Sequence, residues 1–146
     1  MDEPVLILED DLEFVRNPAF VFEIPTDVDA LYLGISGCNY DFETRKNGGR
    51  AKFQILNSTY MKVYNMLSAH AKLYISPEYK TYISGMLRYT NDANDVEICK
   101  HQSKYNVYVL KRPICWQSSK LNNGWEWIEY STRIQIDDSG HLWRLE

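Results

Sequence analysis

The run Val5-Leu6-Ile7-Leu8-Glu9-Asp10-Asp11-Leu12-Glu13 constrains this chain more than any other stretch. Four consecutive aliphatic residues match a strand covered on both faces, as in the middle of a parallel or mixed sheet. Carboxylates cannot continue inside such a layer without partners, so the strand is expected to surface at Glu9. That puts the acidic triplet at the carboxyl end of a central strand, where open α/β sheets keep their ligand sites. Glu9, Asp10 and Asp11 repel one another, and a hard divalent cation with oxygen ligands relieves the repulsion. Mg²⁺ or Mn²⁺ held this way commonly carries the phosphates of a bound nucleotide. The competing meaning is a solvated acidic turn after a strand.

With 146 residues the chain has the length of one domain with a substantial core. Hydrophobic residues make up 45% and charged residues 25%, as in a soluble globular protein. The 11 Tyr and 4 Trp suit either a surface that stacks on sugars or bases or a sheet-rich core. A net charge of −4 argues against a broad nucleic-acid-binding face. Cys38, Cys99 and Cys115 form no CxxC pair, which speaks against a disulfide framework and a zinc site. A reducing, cytoplasmic setting is the expectation, with no transmembrane segment. Because a buried strand at Val5 has nothing before it to cover it, an upstream half is expected to be missing.

Further along, Arg16-Asn17-Pro18 is a turn and Ala19 to Ile24 a short apolar segment stopped by Pro25. Ala30 to Gly34 is a second, nearly continuous apolar strand. Residues 36–50 are a polar loop, a candidate flap, although Asn47-Gly48-Gly49 also suits a hairpin tip. Phe53 to Leu56 and Tyr60 to Tyr64 are expected as strands about a turn at Asn57-Ser58, and Ser68 to Ile75 as another strand. Ser76-Pro77-Glu78 then starts a helix to about Arg88, with Tyr79, Tyr82, Ile83, Met86 and Leu87 on one face. Val96 to Gln102 suits a second helix capped by Asn94 or Asp95, and Asn106 to Leu110 a strand. Past Ser118, Trp125 to Tyr130 alternates like a strand, and Arg133 to Leu145 is a hairpin turning at Asp137-Asp138-Ser139-Gly140.

In order and spacing, these pieces resemble the later half of glycosyltransferase family 25, the lipopolysaccharide-biosynthesis and procollagen-galactosyltransferase-like enzymes. The matching pieces are Leu6 to Asp11, Leu31 to Gly34, Ser68 to Ser76 leading into a helix, Asn91 to Asp95, Val107 to Leu110, and Pro113 with Gln117. The resemblance implies an α/β fold of GT-A type, a mixed sheet flanked by helices, lacking the N-terminal nucleotide-binding units. Residues 1–117 would form this partial domain and 118–146 a C-terminal strand or hairpin extension. It implies metal-dependent transfer of a sugar, hexosyl in type, from a nucleotide-sugar donor to a carbohydrate or protein-linked acceptor. Asp11, helped by Glu9 or Asp10, would ligate Mn²⁺ (or Mg²⁺) on the donor diphosphate, where the metal offsets charge building on the leaving group. Asp92 or Asp95 would stand near the acceptor hydroxyl as the catalytic carboxylate, while helix capping is the plainer role for Asp95. His70 and Gln117 would contact the bound cofactor or substrate, though a histidine between two alanines is commonly structural, and Trp116 beside Gln117 is commonly buried.

The alternative is a non-catalytic, truncated relative that binds a sugar or protein through its aromatic surface. Phosphoryl transfer fits poorly, because the chain has no Walker loop. A sheet opened by a missing half would leave an uncovered edge, so a homo-oligomer or a partner subunit is expected.

Overall fold

A computed structural model describes residues 2–15, 23–41, 46–67 and 70–145 of the chain. Among these residues the architecture is mixed α/β, with one six-stranded mixed sheet, three short two-stranded pairs and three α-helices. The sheet consists of β1 (Val5–Leu8), β3 (Ala30–Tyr32), β6 (Phe53–Ile55), β7 (Tyr60–Val63), β8 (Ala71–Tyr74) and β9 (Val107–Leu110). Its spatial order is β1-β8-β3-β9-β7-β6. Only β3 and β9 pair in parallel; the other four pairings are antiparallel. Strands β1, β3 and β9 consequently run the same way, and their carboxyl ends lie at one end of the sheet.

The centre of the sheet belongs to Ala30-Leu31-Tyr32 and Val107-Tyr108-Val109-Leu110, all buried. Strand alternation splits these residues between two cores. Ala30, Tyr32, Val107 and Val109 face one side with Met61, Val63 and Tyr74. There they meet Tyr79 and Ile83 of α1 (Pro77–Leu87) and Ile98 of α2 (Asn94–Cys99). Leu31, Tyr108 and Leu110 face the other side with Leu33, Tyr60 and Cys115. Ile134 and Ile136 of β11 (Ile134–Ile136) enter the helix-side core, so part of the segment beyond Ser118 packs with the sheet.

Two expectations about the strands are corrected. Val5–Leu8 is an edge strand rather than a central one, and its four residues are 37–52% exposed. An apolar run specifies a strand, but its place in the order depends on partners far along the chain, and β3 and β9 hold the middle. Trp125 to Tyr130 is helical, within α3 (Glu126–Thr132). Apolar residues at 125, 127, 128 and 130 satisfy both periodicities, and local bonds decide: Thr132 Oγ1 donates to the Ile128 carbonyl at 2.8 Å, and Glu129 and Arg133 pair four residues apart.

Other elements follow the sequence closely. Ser76 Oγ accepts the Tyr79 N–H at 3.1 Å, with Pro77 opening α1. The helix α2 starts at Asn94 with Ala93 as its cap, so neither Asn94 nor Asp95 is the capping residue. In the polar loop, β4 (Cys38–Asp41) and β5 (Lys46–Arg50) form an antiparallel pair, and Asn47-Gly48-Gly49 lies inside β5. The hairpin of β11 and β12 (Leu142–Arg144) forms as expected. The Arg16-Asn17-Pro18 turn and most of the apolar segment from Ala19 lie outside the described residues. Among the described residues, no helix is long and apolar enough to cross a membrane.

Candidate functional site

The acidic run leaves β1 at Glu9, turns through Asp10 and Asp11, and re-enters as β2 (Leu12–Phe14). Two distant segments hold this turn. The Glu9 N–H donates to the His70 carbonyl at 2.9 Å, just before β8. Strand β10 (Cys115–Gln117) pairs antiparallel with β2, setting Gln117 opposite Leu12, and the Ser118 N–H donates to the Asp11 carbonyl at 2.8 Å. Gln117 Nε2 therefore reaches Glu9 Oε2 at 3.0 Å and Asp11 Oδ2 at 3.1 Å. Asn122 Nδ2 adds a 3.4 Å contact to the same Asp11 oxygen, and Ser118 Oγ donates to Glu13 Oε1 at 2.7 Å.

Asp11 is 8% exposed, and its other oxygen, Oδ1, is buried with no hydrogen-bond partner. Such an oxygen costs free energy unless something compensates it. Glu9 is exposed as a residue, but partial burial of its carboxyl group, followed by the charge of Asp11, raises its pKa above 4.5. Lys72 opposes this rise, while Asp95 and Asp10 add to it. Lys72 is 7% exposed on β8; burial lowers its pKa, and Glu9 and Asp95 pull it back up. Glu9, Asp11, Gln117, Lys72 and Asp95 thus form one electrostatic neighbourhood.

The expected residues separate into three groups. Glu9, Asp11 and Gln117 come together. Asp10 is exposed at the turn and makes no hydrogen bond to the pair among the described residues. Asp95 accepts the Val96 N–H at 2.9 Å and stands near enough to act on Glu9, whereas Asp92 points elsewhere. Asp92 is half-exposed and paired with Lys100, which also binds Glu97 at 3.1 Å. Those contacts tie the segment joining α1 and α2 to the carboxyl end of α2. His70 is fully buried, and burial holds its pKa down to about 3. It is neutral at physiological pH, as its structural reading requires, and its position is inside rather than on a ligand surface. Trp116 is buried beneath the Arg133 guanidinium, whose centre lies 4.8 Å from the ring centroid.

Lys72 and Asn122 escaped the sequence reading. A lysine in the strand pattern Ala71-Lys72-Leu73-Tyr74 does hint at a paired inner position. Asn122 carries no comparable signal within its polar loop.

Close packing at Gly34 fixes His70. A Cβ on Gly34 would lie 1.9 Å from His70 Nε2 and 2.6 Å from Cδ2. The imidazole is fully enclosed and cannot retreat, so Gly34→Ala is expected to destabilise the fold by about 1–3 kcal/mol, or more. Gly85, inside α1, would meet nothing within 4 Å. Gly85→Ala should therefore stabilise by about 0.5–1 kcal/mol. Urea unfolding of the two variants checks both signs.

A divalent cation can be tested against this geometry. Among the described residues, no three His, Cys, Asp or Glu side chains converge as a metal cluster. The residues that would hold a cation here are the Glu9 and Asp11 carboxylates, with the Gln117 amide able to present its carbonyl oxygen by turning over. Mg²⁺-type ions are commonly held by one or two carboxylates, completing their shell with phosphate oxygens and water. The unpartnered Asp11 Oδ1 fits that arrangement. No protein-family model, curated protein or solved structure matches this chain.

Proposed function

We propose that this chain is a glycosyltransferase-like protein that holds Mn²⁺ or Mg²⁺ between Glu9 and Asp11, and through it the diphosphate of a nucleotide sugar. The observation that carries the proposal is the buried, unpartnered Asp11 Oδ1 beside a second carboxylate of raised pKa. A bound cation would supply Lewis-acid stabilisation of charge on a departing diphosphate. Gln117 bridges the two carboxylates and fixes their separation. Lys72, on the neighbouring strand β8, offsets part of the charge of Glu9. Asp95, near enough to Glu9 to act on its charge, would be the carboxylate that contacts an acceptor hydroxyl, whereas Asp92 is ion-paired with Lys100. The acceptor is a carbohydrate or a protein-linked group.

A second reading, a binding module without turnover, draws on a different observation. Trp125, Trp127, Tyr130 and Trp143 are each 55–68% exposed, and all belong to the segment after Ser118. Large aromatic faces of this kind stack on sugars.

Calorimetric titration with Mn²⁺, with and without UDP, tests the first reading. Mn²⁺ is expected to bind more tightly when UDP is present, because the diphosphate supplies ligands and the coupling is reciprocal. Failure of UDP to alter Mn²⁺ affinity would remove the nucleotide from the proposal. The pH dependence has a fixed sign. Burial and Asp11 raise the folded pKa of Glu9, so its contribution to apo stability is fully present below about 4.5, the unfolded value, and is lost as pH rises through the folded value. Cation binding needs the deprotonated form, so Mn²⁺ affinity should rise with pH through that same window. UDP release from UDP-sugars with simple acceptors separates the transferase from the binding module.

A further inference from the structure

A cleft opens at the carboxyl end of β9, three strand positions along the sheet from β1 and roughly 14 Å away on ordinary strand spacing. Its volume is about 680 Å³, within the range of small-molecule sites, and Ser58, Thr59, Lys111, Arg112, Gln135 and Asp138 help line it. Lys111 is its unusual member. Directly after the buried Leu110, its N–H donates to the Thr59 carbonyl at 2.9 Å, and its own carbonyl accepts the Ile136 N–H at 3.2 Å. These bonds fix it between the β6–β7 turn and β11, and its side chain is only 3% exposed.

A buried ammonium requires an anion. Among the described residues, the anion paired with Lys111 is the Asp138 carboxylate, whose side chain is 85% exposed on the β11–β12 turn. Its neighbour Asp137 is already committed. Asp137 Oδ1 accepts from the N–H groups of Ser139 (2.9 Å) and His141 (3.0 Å) and from Ser139 Oγ (2.6 Å), and Oδ2 accepts from Trp143 Nε1 at 2.8 Å. Arg112, one residue beyond Lys111, is exposed and makes no ion pair among the described residues. The cleft therefore combines an enclosed cation, a second free cation, two hydroxyl residues and an amide with one displaceable surface carboxylate. That is more donor capacity than the two oxygens of a carboxylate use, and it suits a tetrahedral oxyanion.

We propose that this cleft binds the phosphate group of a small organic phosphate, and that Asp138 occupies the phosphate position on Lys111 when the cleft is empty of ligand. The proposal does not depend on the carboxylate site at Glu9 and Asp11. A ligand phosphate must compete with Asp138, so the unmodified chain binds weakly and Asp138→Asn removes the competitor.

The test compares thermal unfolding and calorimetry of the chain, Asp138→Asn, and Asp138→Asn combined with Lys111→Gln. Each is measured with inorganic phosphate and with acetate at matched ionic strength. Phosphate is expected to bind Asp138→Asn roughly tenfold more tightly than the unmodified chain and to raise its Tm, with no such effect from acetate. The double variant should lose the response. Absence of a phosphate-specific response in Asp138→Asn overturns the proposal, as does an equal response in the double variant or from acetate. Should Asp138→Asn fail to fold, amide shifts of the unmodified chain under phosphate titration decide the matter. Movement confined to residues 58–59, 110–112 and 135–138 supports the site, and no movement there overturns it.

Discussion

Asp11→Ala is expected to abolish Mn²⁺ binding and to leave the thermal stability of the metal-free chain equal or higher. Both effects come from one carboxylate. Asp11 is 8% exposed, and one of its oxygens is buried without a partner beside a second acid. Without the ion, the group carries a desolvation cost and a like-charge repulsion that its bonds to Gln117 and Asn122 only partly offset. In the proposed cation site it would supply one of two carboxylate ligands. Its loss should reduce affinity by more than the roughly 10–100-fold typical of outer-shell changes. In the variant, Gln117 keeps Glu9 as acceptor, and the pKa of Glu9 moves back toward 4.5 as the Asp11 repulsion disappears. A folded Asp11→Ala protein with unchanged Mn²⁺ affinity would sink the cation site. A loss of about 1–3 kcal/mol would instead make Asp11 a structural acceptor for two amides.

The largest expected loss of stability is at Gln102, which is not among the residues proposed to hold a ligand. Its side chain is completely buried and bonded at both ends. Oε1 accepts the Met66 N–H at 2.7 Å, while Nε2 donates to the Met66 carbonyl at 2.9 Å and to Tyr32 Oη at 3.4 Å. One amide thus satisfies both backbone groups of a residue after β7 and meets a hydroxyl from the central strand. Gln102→Leu keeps much of the volume and strands two backbone groups in the core. At about 1–3 kcal/mol each, the expected loss is roughly 2–6 kcal/mol, a large share of a small domain's stability. Gln102→Glu should also be costly, because it removes the donor and buries a charge. Chemical denaturation measures both, and a loss under about 1 kcal/mol for Gln102→Leu would show that water replaces the amide.

Local chemistry was legible in the sequence, and long-range placement was not. The Ser76-Pro77-Glu78 start of α1 is a matter of three adjacent residues, and it formed as expected. So did the turn before β7, where Asn57 Oδ1 accepts the Thr59 and Tyr60 N–H groups at 2.8 and 2.9 Å. The final hairpin turns through Gly140 at φ 85°, a conformation that favours glycine. By contrast, the edge position of β1 is set by β3 and β9, residues remote from Val5 in sequence. The same limit applies to the site. Glu9, Asp11 and Gln117 each carry a signal in the sequence, but nothing local to them discloses that Lys72 comes close enough to act on Glu9, or that Lys100 draws Asp92 away.

The pairing of β2 with β10 has a consequence for how the chain is made. Gln117 and Glu9 are separated by 108 positions, and β3 finds its parallel partner only at residues 107–109. At translation rates of roughly 5–20 residues per second, the first strands leave the ribosome several seconds or more before their partners exist. Strand β1 waits for β8, at residues 71–74, and until then Val5-Leu6-Ile7-Leu8 is an unpaired aliphatic β-former, the kind of segment that seeds aggregation. Glu9, Asp10 and Asp11 follow it directly and act as gatekeepers, their mutual repulsion opposing the stacking of nascent strands. Asp10, exposed at the turn and without a hydrogen bond to Glu9 or Asp11 among the described residues, is the member of the run whose neutralisation tests this: it should lower soluble yield during synthesis while leaving the fold intact.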